Sequence, residues 1–152
     1  MSNYFSKSQI DLLAKSKSEK KYIHLKNENE NLKEVMNIKN FNKLISMHNC
    51  WDHKNFSLVL NKNSIPFSAF STLGYDLGFT KTAPDPIKVE YYIRKGASLV
   101  LNDLVYLSKE IEELASDLQS ITNGKCQANL YFSMQSHQAF APHYDTHDVF
   151  AL

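Results

Sequence analysis

Cysteine is scarce in this chain: Cys50 and Cys126 are its 2 cysteines, far apart and in no Cys-x-x-Cys pair. That argues against a disulfide framework and against a cysteine-based zinc site, and points to buried, reduced thiols in a cytoplasmic protein. An excess of either charge is also missing. A net charge of +1 gives no electrostatic reason to expect nucleic acid or an anionic membrane as partner. Lysine-rich runs such as "KSKSEKK" are broken by serine and glutamate, as on a solvated face. No stretch approaches the roughly 20 apolar residues that span a bilayer, and "MSNYFSKSQIDLL" lacks the apolar core of a signal peptide.

What is present suits one globular domain. At 152 residues, with 43 % apolar and 22 % charged residues, the chain is ordinary in composition. Folding at that length buries roughly 68–70 % of the unfolded surface.

The first half is read from local signals. Residues 8–16, "SQIDLLAKS", suit a short helix, and "KYIHL" (21–25) a short strand. Asn31 with Glu34 resembles a capping box, opening helical turns through "NLKEVM" and "FNKLISM". "NFSLVLNKN" (55–63) alternates around Leu58 and Leu60 and ends in turn residues, so a strand is predicted there. Residues 64–84 read as an irregular connection punctuated by Pro66, Gly74, Gly78 and Pro84.

The second half is better marked. Asp85 is an N-cap followed by Pro86 at the first helical position, and Gly96 stops that helix. "ASLVL" (97–101) is a short buried strand. Ser108 caps the next helix, whose Ile111, Leu114, Ala115, Leu118 and Ile121 recur at helical spacing before Gly124 ends it, a packing element to be laid against a sheet. In "KCQANLYFS" (125–133), read as a strand, Gln127, Asn129 and Tyr131 take one side and Ala128, Leu130 and Phe132 the other.

The last residues, "HQAFAPHYDTHDVFAL", hold the candidate chemistry: His143, Asp145, His147 and Asp148 fall within six positions. On a strand, residues two apart share a face roughly 6.6–6.8 Å apart, so His143 and Asp145 can lean toward one metal ion. His147 stands roughly 13 Å from His143 by the same rise. The spacing favours a two-ligand His-x-Asp contribution, with a third ligand from elsewhere. Two histidines and one carboxylate on one triangular face leave three coordination positions open, the arrangement of non-haem iron(II) oxygenases. By itself His-x-Asp usually marks a hydrogen-bonded surface pair.

A resemblance adds to this. "GASLVLNDLVYLS", an amphipathic helix and then "CQANLYFSMQSHQAFAPHYDTHDVFAL" resemble bacterial JmjC-type, cupin-fold proteins related to the ribosomal oxygenases. "NLYFS" and "PHYDTHDVFAL" carry it most specifically; "DPIKVEYYIRKG" extends it, and "SEKKYIHLKN" does so more loosely. It implies an α+β fold in which N-terminal helices and short strands (1–84) lead into the first part of a double-stranded β-helix, the cupin or JmjC jelly roll (85–152). It also implies an iron(II)- and 2-oxoglutarate-dependent oxygenase that hydroxylates a protein or peptide side chain.

By position, His143 and Asp145 match the family's first two iron ligands. Asn129 and Tyr131 match positions lining the cavity for co-substrate and substrate, with a structural hydrogen bond the other reading of Asn129. His147 occupies a variable position, Asp148 reads as structural on the face of Tyr144 and Phe150, and His137 reads as an exposed loop histidine.

The family pattern runs on with a glutamine, a glycine turn, a basic residue that pairs with 2-oxoglutarate, and a second histidine on a later strand. Leu152 precedes all of these, and His24, His48 and His53 stand in no motif that replaces the missing ligand. Because "VFAL" breaks off where a strand is expected, the expectation is a truncated chain, inactive alone, with an incomplete β-helix and an uncovered 146–152 strand. Such an edge admits a homo-oligomer. Two other functions fit the same residues: a non-catalytic half-cupin that binds partners, and a cupin that holds metal without oxygenase chemistry.

Overall fold

The computed structural model describes residues 2–25, 30–76, 78–134 and 139–152. Its elements run α1 (Lys7–Glu19), α2 (Glu30–Val35), α3 (Ile38–Ile45), β1 (Phe56–Leu60), β2 (Asn63–Ser64), α4 (Phe67–Phe70), β3 (Ser71–Asp76), β4 (Phe79–Pro84), α5 (Pro86–Arg94), β5 (Ser98–Leu101), α6 (Lys109–Thr122) and β6 (Leu130–Phe132). The fold is α+β, with antiparallel strand pairs. Among the described residues no helix is long and apolar enough to cross a membrane.

Two compact units interleave along the chain. One takes residues 1–44, 105–128 and 145–152; the other takes 45–104 and 129–144.

The first unit is helical. Ser6 caps α1: its hydroxyl accepts the Gln9 N–H at 3.3 Å while Gln9 Oε1 accepts the Ser6 N–H at 2.9 Å, a reciprocal capping box. Ser108 caps α6 by accepting the Ile111 N–H, and Ile111, Leu114, Ala115 and Leu118 are buried as their spacing predicts. Within the unit α6 packs against α1 and α2. Asn123, in the left-handed region at φ 51, closes α6 one residue before the glycine expected to do so.

The N-terminal segment is tied to the same helix. The Ser2 hydroxyl donates to Asp117 Oδ2 at 2.6 Å, and the Tyr4 hydroxyl lies 3.2 Å from the Glu110 carbonyl and 3.4 Å from Glu113 Oε2. Burial and the neighbouring Glu113 carboxylate push the Tyr4 phenol up from its ordinary value. Glu110 moves the other way: the Ser108 hydroxyl donates to its Oε2 at 2.7 Å and holds its carboxyl below the usual range. Helical turns occur where predicted over 30–45, but Asn31 lies inside α2 and donates to the Asn3 carbonyl instead of capping. The strand expected at 21–25 is absent; those residues have no regular structure, and Tyr22 is 97 % exposed.

The second unit is built on a sheet of order β2-β1-β5-β6, all antiparallel. All four residues of β5 are buried, as a strand with a neighbour on each side and few polar side chains must be. Phe56 pairs with Leu101, and Val59 with Ser98. Trp51, Phe56 and Phe70 stack edge-on or tilted beside them, with ring centroids 5.8 and 6.0 Å apart. Asn61 and Lys62, at φ 50 and 67, form the two-residue turn into β2, where both central positions must be left-handed to match the strands' twist. Asp85 caps α5 as predicted, accepting the Ile87 and Lys88 N–H groups, and Gly96 at φ 97 follows the helix end.

Residues 64–84 depart from expectation. In place of an irregular connection there is the short α4 and a hairpin in which β3 pairs with β4 from Ser71↔Pro84 to Asp76↔Phe79. The strand expected over 125–133 is also shorter, confined to Leu130–Phe132.

Candidate functional site

β6 is held by its pairing to β5, which sets Val100 opposite Tyr131. Ser98 and Ser133 continue that ladder through a hydroxyl pair at 2.6 Å, with Ser98 fully buried. The predicted alternation holds. Gln127, Asn129 and Tyr131 are exposed, whereas Ala128, Leu130 and Phe132 are partly buried. Asn129 Oδ1 accepts the Asp103 N–H at 3.4 Å, and Asp103 sits in the left-handed region at φ 60. The Asn129 amide thus braces the turn that leaves β5. Tyr131, 58 % exposed, points its ring outward.

Residues 139–152 carry no strand, and each of them from Phe140 onward is exposed. The pleat assumed in spacing His143 from Asp145 is therefore not formed. His143 falls in the second unit and Asp145 begins the last segment of the first.

His143 nevertheless has a defined setting. Its Nδ1 lies 3.0 Å from the Ala141 carbonyl oxygen. A carbonyl only accepts, so in this contact Nδ1 carries the proton, and the tautomer that fits has its lone pair on Nε2. Metal-binding histidines are commonly oriented in this way, one ring nitrogen donating to a carbonyl and the other left for the metal. The ring also meets Phe140 edge to face, with centroids 5.9 Å apart, and Phe140 in turn meets Tyr131 at 6.0 Å. Tyr131 and His143 are therefore joined through Phe140, a residue that sequence reasoning passed over. Its only signal was an aromatic three positions before the histidine, in a segment without periodicity.

Asp145, His147 and Asp148 are exposed and make no hydrogen bond or ion pair among the described residues. Asp148 has no structural contact of the kind expected, while Phe150 packs on Phe5 with centroids 5.7 Å apart. His137 lies outside the described residues. An imidazole nitrogen and a carboxylate oxygen suit iron(II) chemically. They remain one donor short of a facial triad, and no group of three His, Cys, Asp or Glu side chains among the described residues is placed to hold a metal.

Residues 102–152 match the JmjC domain family. The match covers the last third of the chain and takes in Asn129, Tyr131, His143 and Asp145 together. It supports a JmjC-type cupin relationship for that stretch. The JmjC match begins immediately after β5, so α1 to α5 and the first five strands precede it. No curated protein and no solved structure matches the chain.

Proposed function

We propose that this chain supplies the His143 and Asp145 ligands of an iron(II)- and 2-oxoglutarate-dependent oxygenase of the JmjC type, related to the bacterial ribosomal oxygenases, which hydroxylates a protein or peptide side chain. The observation that carries the reading is the His-x-Asp pair inside the JmjC match, with His143 Nδ1 committed to a backbone carbonyl and Nε2 left free. Iron(II), when bound, would supply the activation of dioxygen. This chain's part is to present one nitrogen and one carboxylate and to wall the approach with Tyr131. Asn129 and Tyr131 line the co-substrate side, and the third ligand and the basic anchor for 2-oxoglutarate come from outside the described residues. The scarcity of cysteine supports a cytoplasmic setting in this reading, although both thiols are half-buried and not buried as expected. The partner is a protein or peptide substrate, without nucleic acid or membrane.

Manganese(II), a redox-silent substitute for iron(II), gives the test. In anaerobic calorimetry the wild type should bind it, and Asp145→Ala should weaken binding by at least about tenfold, the loss typical even of outer-shell changes. Equal affinity in the two proteins rejects the ligand assignment.

A second reading rests on β6. It stands last in the strand order β2-β1-β5-β6, and its Tyr131 is exposed. A half-cupin module pairing through that edge, as a homo-oligomer, would behave as a dimer or larger species in size-exclusion chromatography whether or not metal is present. A monomer at all concentrations dismisses it.

A further inference from the structure

His143 lies in a segment with no helix or strand of its own, yet a ligand must be held to about half an ångström to be useful. Its carbonyl partner, Ala141, belongs to the same irregular segment and cannot by itself supply rigidity. The contact that reaches a regular element is aromatic. Tyr131 is fixed in β6 by its register with Val100, Phe140 meets Tyr131 at 6.0 Å and 84°, and His143 meets Phe140 at 5.9 Å and 77°. Both contacts are edge to face, the geometry that the ring quadrupoles favour.

We propose that Phe140 is a positioning residue: its ring, braced on Tyr131, holds the His143 imidazole in the orientation that donates Nδ1–H to Ala141 and turns Nε2 outward. The inference rests on the reading of His143 as a ligand but concerns a property of the metal-free chain. Without Phe140 the imidazole can turn about its side-chain bonds, give the Ala141 carbonyl to water and redistribute its proton between the two nitrogens. An exposed aromatic pair shifts such an equilibrium by about two- to tenfold. Phe140 is 43 % exposed, so its removal leaves the buried core untouched.

The test is nitrogen-15 NMR of the His143 ring in metal-free protein, at a pH above which its ring nitrogen shifts no longer change. Wild type should show a protonated Nδ1 in excess. Phe140→Ala should lower that excess by about two- to tenfold and remove the ring-current shift of the His143 carbon-bound protons. Phe140→Tyr should restore both. An unchanged tautomer ratio in Phe140→Ala overturns the proposal, as does a wild type with Nε2 protonated. Because this readout uses no metal, a failure of the ligand assignment shows separately, in the manganese titration of wild type and Asp145→Ala.

Discussion

At the scale of single residues, the structure repeatedly uses a short polar side chain to satisfy backbone that would otherwise lack a partner. Asn129 does this for Asp103, Asp85 for the first turn of α5, and Ser108 for the first turn of α6. Replacing Asn129 by alanine should cost about 0.5–1.5 kcal/mol, the usual net worth of one hydrogen bond. The check is a lower urea midpoint with an unchanged slope; no shift would mean that the 3.4 Å contact contributes nothing. Asp85 and Ser108 were legible in the sequence because a cap announces itself through residue type and position together. Phe140 and Ala141 were not, since in an irregular segment neither periodicity nor spacing says which rings meet.

Elements were legible in proportion to how much of each is buried. β5 and α6 are apolar where they must be, and both stand where the pattern puts them. The β3–β4 hairpin was missed because much of its described surface is exposed: Leu73 and Phe79 face solvent, so no alternation of apolar and polar residues marks it. "KYIHL" is largely apolar but pairs with no strand among the described residues, and a strand without a ladder leaves its backbone groups to water. The same reason accounts for residues 146–152. In α6, Leu114→Ala removes a buried side chain and should destabilise by about 2–5 kcal/mol, whereas Ser108→Ala should cost about 1 kcal/mol. Thermal unfolding of the two variants should rank them in that order; equal losses would place Leu114 outside the core.

For the whole molecule, titration gives the helical unit an acid and an alkaline limit. Glu110 has its folded-state carboxyl held below the ordinary value, first by the Ser108 hydroxyl. Its contribution is present above the unfolded-state value and fades as pH falls through that value toward the folded one. Tyr4 is shifted upward by burial, so its contribution is present below the ordinary phenol value and fades as pH rises from there through the folded one. Glu110→Gln should flatten the acid limb of a stability-against-pH profile, and Tyr4→Phe the alkaline limb. A Ser108→Ala protein that keeps the full acid limb would show that the serine does not hold Glu110.

The interleaving of the two units carries a consequence for anyone dividing the gene. β1 finds its partner in β5 across residue 84, and α1 finds its partner α6 much later still, so a nick near that position severs both. Separately expressed halves 1–84 and 85–152 should each be unfolded alone and should regain the far-ultraviolet spectrum of the whole only when mixed, as a split reporter does.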